Sequence, residues 1–440
     1  MAKKPVLYFS ILLLLAVCSA LSLTAQAQEA STATDATALN EKIQTLEKEL
    51  EDLRASVASL KAAPAPAPAA AAAPAAAPAP ATLSSILGPT TISGFIDTYA
   101  GANFNRPGSR VSQLRSFDAN TNSWALNEIE LVIDKAPDAA ASRLGYHLAF
   151  GYGQASDAIN AANVAASATG AYGQDGDRYV KEAYFSYLAK VGKGLQFDVG
   201  KFVTPAGAEV IESKDNWNYS RGLLFSYAIP FDHYGARAKY TFSPKASLTG
   251  YLVNGWNNSF DNNGRPTGGV SLALTPNAKW SITQNYLAGP ENAAGTADTR
   301  GNVRQLFDTV VAYNATAKFS LQGNFDYGRG DVLVAGGDPV WWSGIAAFAK
   351  YTFNPKWAIA GRYEYYDDKS GFTTGSAQHL NGGTLTLERT VASHLISRLE
   401  YRDDTSNREF FVKHGGALSS HQDTLELGLI FTFDSKGDAK

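Results

Sequence analysis

From Thr91 to Phe433 the chain repeats one pattern, apolar side chains at every second position in runs of about nine to eleven residues. In residues 143–153, Leu144, Tyr146, Leu148, Phe150 and Tyr152 fall on one face, and Arg143, Gly145, His147, Ala149 and Gly151 on the other. Phe319, Leu321, Gly323, Phe325 and Tyr327 alternate with Ser320, Gln322, Asn324 and Asp326. The same holds for Trp357, Ile359, Gly361, Tyr363 and Tyr365, and for Leu425, Leu427, Leu429, Phe431 and Phe433. Successive side chains of a strand point to opposite faces, so each run is a strand with one apolar and one polar face. In a soluble sandwich the apolar face packs on a core. In an outer-membrane barrel it meets lipid, and the polar face lines a lumen.

The connections decide between these. Short turns recur at 191–194, 243–246, 275–278, 314–317 and 354–356, several with an aromatic residue on either side, as in Phe353-Asn354-Pro355-Lys356-Trp357. Long loops rich in Gly, Asn and Asp alternate with them. One end of short turns, one end of long loops and aromatics near the turns are the marks of a transmembrane barrel. The expectation is an all-β, antiparallel barrel over residues 91–433 with about sixteen strands, an even number that returns both ends to the same side. Their starts fall near 91, 123, 142, 178, 195, 233, 246, 269, 279, 304, 317, 342, 356, 379, 393 and 422. The expected outer loops are 105–122, 154–177, 204–232, 257–268, 289–303, 329–341, 368–378 and 404–421. A barrel of about that size leaves an aqueous lumen.

Composition agrees. Charged residues are 18% against about 25% in an average soluble domain, yet aromatics reach 11%. The formal charge of -3 argues against nucleic acid as a partner. After the first residues no run of about 18 apolar residues exists, which excludes a helical span.

Ahead of the barrel the pattern changes. Lys3 and Lys4, the apolar stretch 6–17 and Ala25-Gln26-Ala27 read as a secretory signal peptide over residues 1–27. The one cysteine, Cys18, lies inside it, after a Val17 too bulky for a lipidated cysteine; disulfide and thiol chemistry are therefore excluded from the mature chain. Leu39, Ile43, Leu46, Leu50, Leu53, Val57 and Leu60 form a heptad seam, so residues 36–61 are expected to be an α-helical coiled-coil stalk that joins copies of the chain. Lys42 would face Glu47, and Glu49 would face Arg54, in a parallel, in-register bundle. β-branched residues over leucine lean towards a dimer. Residues 62–82, almost only Ala and Pro, form a periplasmic linker that reaches roughly 60 Å in polyproline II. A polar tail, 434–440, follows Phe433.

The loop 204–232 differs from the other long loops. It mixes Val210, Ile211, Trp217, Tyr219, Leu223, Leu224, Phe225, Tyr227 and Ile229 with Glu209, Glu212, Lys214, Asp215 and Arg221. That much apolar surface must pack on something, either inside the lumen or over the rim. By parity the lumen face carries charges of both signs, among them Glu128, Glu130, Arg143, His147, Glu182, Asp198, Arg237, Lys239, Asp326, Arg362, Glu364, Glu388, Arg398, Glu400, Arg402 and Glu426. Fixed charges set ion preference, and the slight excess of acids leans towards cations. The candidate constriction sets Glu209, Glu212 and Asp215 against Arg362, Arg398 and Arg402.

No nucleophile elbow, zinc-protease motif or phosphate loop occurs, and the six histidines show no ligand spacing. Residues 118–122 begin like a calcium loop but lack its glycine, and Ile129 stands where the bidentate glutamate belongs; they read as an ordinary polar loop. No enzyme, cofactor or metal site is expected.

Several stretches resemble the OmpL-like "putative beta-barrel porin-2" family of bacterial outer-membrane porins. They are Gly94-Phe95-Ile96-Asp97, Asn103-Phe104-Asn105-Arg106-Pro107, Arg115-Ser116-Phe117-Asp118, residues 200–209 (GKFVTPAGAE), residues 215–221 (DNWNYSR) and Val253-Asn254-Gly255-Trp256. The resemblance covers most of the barrel. It implies a porin in the outer-membrane lipid bilayer, commonly trimeric, and fixes no substrate. Two functions follow as expectations: passive diffusion of small hydrophilic solutes, or a structural anchor whose stalk contacts the cell wall.

Overall fold

The computed structural model describes residues 88–162, 177–261, 263–291, 302–331 and 337–435, together with Gln44, Lys48 and Glu51, which are helical and exposed. The signal peptide, the seven residues of the heptad seam, the Ala/Pro linker and most of the polar tail lie outside the described residues.

The alternating runs become strands: β1 (Thr91–Asn103), β2 (Ser123–Lys135), β3 (Leu144–Tyr152), β4 (Val180–Ala189), β5 (Leu195–Val203), β6 (Asp232–Ser243), β7 (Ala246–Val253), β8 (Thr267–Asn277), β9 (Trp280–Pro290), β10 (Val303–Asn314), β11 (Phe319–Gly330), β12 (Val340–Asn354), β13 (Trp357–Asp368), β14 (Gln378–Ala392), β15 (Leu395–Ser406), β16 (Phe411–Val412), β17 (Leu418–Ser419) and β18 (His421–Asp434). Among the described residues, β1–β15 and β18 are sixteen antiparallel strands in one closed barrel, sealed where β1 meets β18 from Ser93↔Asp434 to Asn103↔Thr424. Each starts within two residues of the expected position. β16 and β17 form a separate ribbon inside the last long loop. A helix, α1 (Gln154–Ala162), opens the second long loop, and a short one, α2 (Leu223–Tyr227), lies in the third.

Closure pairs every strand on both sides, which satisfies the backbone without an edge. Burial is inverted relative to a soluble protein. Leu385 on β14 is 54% exposed and Tyr363 on β13 58%, whereas inward-facing Asp97, Asp308, Asp326, Glu364 and Asp404 are at 0%. The outward face is that of a lipid-facing surface. Trp280, Tyr351, Phe353, Trp357 and Phe433 stand exposed at the short-turn end, where a girdle of aromatics belongs. No helix among the described residues is long and apolar enough to cross a membrane.

Two β-bulges away from the short turns break the parity; the other register shifts lie at the turns themselves. Asp97 pairs with Glu128 but Thr98 with Leu126, so Asn127 is the extra residue, and Asn127 and Glu128 both turn inward. Ala149 pairs with Glu182 but Phe150 with Val180, which leaves Lys181 as the extra residue. A bulge sets two residues opposite one and re-aims a side chain.

Candidate functional site: the third loop and the inward wall

Residues 204–231 connect β5 to β6, and their polar atoms meet inward-facing side chains of strands remote in sequence. Arg362 on β13 donates to Glu209 Oε1 at 2.7 Å and to the Ser220 carbonyl at 2.6 Å, and its Nε lies 3.0 Å from Glu364. Glu209 also accepts from the Gly222 N–H at 2.7 Å, and Glu364 from the Leu224 N–H at 3.2 Å. A Cβ at Gly222 would run into the Glu364 carboxylate, so any larger residue there must push that side chain off its present partners. Glu400 on β15 accepts the amides of Tyr219 at 2.5 Å and Ser220 at 2.9 Å, and Thr386 Oγ1 at 2.6 Å. Arg402 donates to the Arg221 carbonyl at 2.7 Å and pairs with Asp404 at 2.8 Å. Arg398 bonds the Ser213 carbonyl and pairs with Glu388 at 2.8 Å, which Lys350 also reaches at 3.0 Å. On β1, Asp97 accepts from Tyr219 Oη at 2.9 Å, Ser213 Oγ at 2.7 Å and Asn127 Nδ2 at 2.6 Å.

The candidate residues are thus placed as follows. Glu209 and Arg362 are in direct contact. Glu212 pairs instead with Lys181, which also meets Glu128 at 3.1 Å and Glu130. Asp215 is 55% exposed and pairs with its neighbour Lys214 at 2.5 Å. Arg398 and Arg402 spend their guanidinium groups on loop carbonyls and wall carboxylates. Burial pushes the Glu209 carboxyl up, against the pull of Arg362. In Glu212 burial pushes the same way, but the Lys181 ammonium outweighs it and holds the group low.

The apolar part of the loop is buried too. Ile211, Leu223, Leu224, Phe225, Ala228 and Ile229 share one cluster with Phe117 of the first long loop and with Trp342, Phe348, Tyr366 and Leu380 of the wall. Phe117 stands 5.7 Å from Phe225 and 5.3 Å from Phe231, ring centre to ring centre. The first loop is not the ordinary polar loop its sequence suggests. Asp118 is 1% exposed and pairs with Arg115 at 2.5 Å, and Arg115 reaches Asp404 at 3.3 Å. Those charges serve the wall.

A second group of inward charges lies on β2–β6. His147 bridges Asp134 at 2.9 Å and Glu182 at 3.3 Å, and Arg237 pairs with Asp198 at 2.8 Å beneath the rings of Tyr184 and Phe202. Glu182 also accepts the Val203 amide, where the third loop begins, at 3.0 Å.

Parity missed Asn127 and Lys181 because both are bulge residues. It also missed Asp97, whose face carries Phe95 and Tyr99, so that β1 shows no clear polar side to read.

A closed barrel with lipid-facing apolar bands and a charged, hydrogen-bonded interior is the outer-membrane porin class of protein. The chain belongs to the family described as "Putative beta-barrel porin-2, OmpL-like", which it matches over residues 89–433. Among solved structures its fold is similar to the outer-membrane expressed OmpT of Vibrio cholerae, at 11% identity and a TM-score of 0.51 over 78% of this chain and 97% of that one. It is similar also to an anion-selective porin from Comamonas acidovorans, at 11% identity and a TM-score of 0.50 over 78% of this chain and 99% of the other. At that identity the likeness is one of fold. No curated protein matches the chain.

Proposed function

We propose that the barrel conducts small hydrophilic solutes by passive diffusion, through a lumen that the third loop enters and narrows. One observation supports this above the others: residues 209–222 hydrogen-bond to inward-facing side chains of β1, β13, β14 and β15, the set of partners expected of a loop that runs inside the ring. Loop and wall acids and bases neutralise each other along β13 and β15. The solute path is then left to the wall of β3–β6, which carries His147, Glu182, Asp198, Arg237 and the exposed Lys239, with Glu212, Lys214 and Asp215 as the charges on the loop's side of the path. The narrow part therefore presents both signs of charge, the arrangement that orders dipolar solutes and hydrated ions. In the outer membrane this is a passive role and needs no cofactor.

The test is reconstitution in a planar bilayer. Stepwise, ohmic single-channel conductance is expected, and a tight, silent barrel would refute the reading. Neutralising Glu212 and Asp215 together should move the reversal potential in a salt gradient towards anions. An unmoved potential would place both residues away from the path.

A further inference from the structure

We propose that Arg304 and the aromatic rings around it form a binding site for an oxyanion, a carboxylate or phosphate carried by a solute at the outer mouth of the pore. The proposal rests on the porin reading and adds the chemical class of a solute.

Arg304 is the second residue of β10, at the end of the barrel that carries the long loops. It is on the inward face, the face of Leu306 and Asp308 two and four residues on, both at 0% exposure. Its guanidinium carbon stands 3.4 Å from the ring centre of Trp256, 5.0 Å from that of Trp342 and 5.3 Å from that of Phe372. These rings come from three separate segments: the loop after β7, the start of β12 and the loop after β13. Trp256 and Trp342 meet edge to face at 5.8 Å, and Trp342 stacks on Phe372 at 5.8 Å. Such a box fixes the plane of the guanidinium and attracts it electrostatically.

The box contributes no acceptor. Arg115, Arg237, Arg362, Arg398 and Arg402 each have a carboxylate within 4 Å. Arg304 has neither an ion pair nor a hydrogen bond among the described residues, and its Nε is buried without a partner. Glu291, the carboxylate whose charge acts on Arg304, makes its hydrogen bonds elsewhere: it accepts from the Trp256 N–H at 2.9 Å, Thr267 Oγ1 at 3.0 Å and Asn258 Nδ2 at 3.1 Å. A guanidinium stays charged at any physiological pH and offers its donors in a planar fork. With its faces covered by rings, only its edge can be satisfied, and an edge-on fork fits the two oxygens of a carboxylate or phosphate. A neutral sugar supplies no charge to it.

The experiment uses the full chain in planar bilayers. Glucuronate, inorganic phosphate or glucose is added on the long-loop side while single-channel current is read. Either anion should block the current reversibly at concentrations roughly tenfold or more below those at which glucose acts, and Arg304→Gln should raise the half-blocking concentration by a similar factor. Arg304→Lys, which keeps the charge and loses the fork, should fall between. The anion that acts names the solute's acidic group. Block by neither anion below the glucose concentration, or an unshifted half-blocking concentration in Arg304→Gln, overturns the proposal. Should Arg304→Gln fail to assemble, tryptophan emission of the wild-type chain gives a second reading: a saturable change with an anion, absent with glucose and lost in Trp256→Phe, is expected. An unresponsive emission overturns the site. Simple KCl conductance tests the pore itself, so failure of one reading is separable from failure of the other.

Discussion

Arg362 shows what a single inward side chain does here. One guanidinium ties Glu209 and Ser220 of the loop to Glu364 and Thr384 of the wall. Removing one partner of a buried pair strands the others, at a cost of about 3–5 kcal/mol. Arg362→Gln is expected to release the loop, read as a larger and noisier single-channel conductance from a barrel that still migrates as folded on unboiled gels. Gly222→Ala should act in the same direction with every charge kept, because its Cβ meets the Glu364 carboxylate. Conductance unchanged in both variants would mean that this contact does not seat the loop. Asp118 sets the acid limit of the first loop. Burial pushes its carboxyl up, but Arg115, Arg402 and Arg221 together pull it below its ordinary value. A carboxyl held low stabilises the fold above the unfolded value of about 3.9 and loses that contribution as pH falls through its folded value. Protection of the amides of residues 110–121, measured against their intrinsic exchange rates, should therefore stay high down to about pH 4 and fall below it. Equal protection at neutral pH and well below pH 4 would refute the assignment.

Strands were the most legible elements, because a tilted membrane strand needs about ten residues of strict alternation and the turns between strands carry their own residues. The outer loops were legible only in position. Residues 154–177 hold α1 and 404–421 hold the β16–β17 ribbon, short elements whose formation depends on what they pack against. Parity predicted Glu128, Glu130 and Glu182 on the inward face; it failed where a bulge inserted a residue, at Asn127 and Lys181, and on β1, where aromatics share the inward face with Asp97. Deleting Asn127 should turn residues 123–126 over, bringing Trp124 and Leu126 to the lumen and Ala125 to the lipid. The expected result is little or no folded barrel on unboiled gels; normal assembly would show that the bulge is dispensable. Deleting 209–227 should leave the barrel closed and raise conductance several-fold, since the wall strands pair without the loop.

At the scale of the whole molecule the decisive property is the inverted distribution of polarity. Leu385 sits midway along β14 with its side chain outward, so Leu385→Arg should cost about 2–4 kcal/mol in a lipid bilayer, measured by urea titration of folding into vesicles, whereas the inward Thr386→Ser should cost far less. The N-terminal stalk, which we propose joins copies of the chain, lies outside the described residues. Removing residues 28–82 should weaken oligomers on unboiled gels and leave the conductance of one barrel intact; unchanged oligomers would remove the stalk from that role.

Strand number, the two unlike ends of the barrel and the side most wall residues face could be read before any coordinates, because all three follow from a local period of two and from short-range turn chemistry. The partners of the charges could not. Arg362 meets Glu209 across 153 positions and Arg398 meets Ser213 across 185. Those meetings depend on where one long loop settles against strands remote from it in sequence, as does the company of Glu212 with Lys181; the setting of Arg304 among three rings depends on three other segments brought together by closure. Alternation specifies a wall residue by residue. What the wall encloses is decided only when the ring has closed and the buried donors and acceptors of remote strands compete for partners.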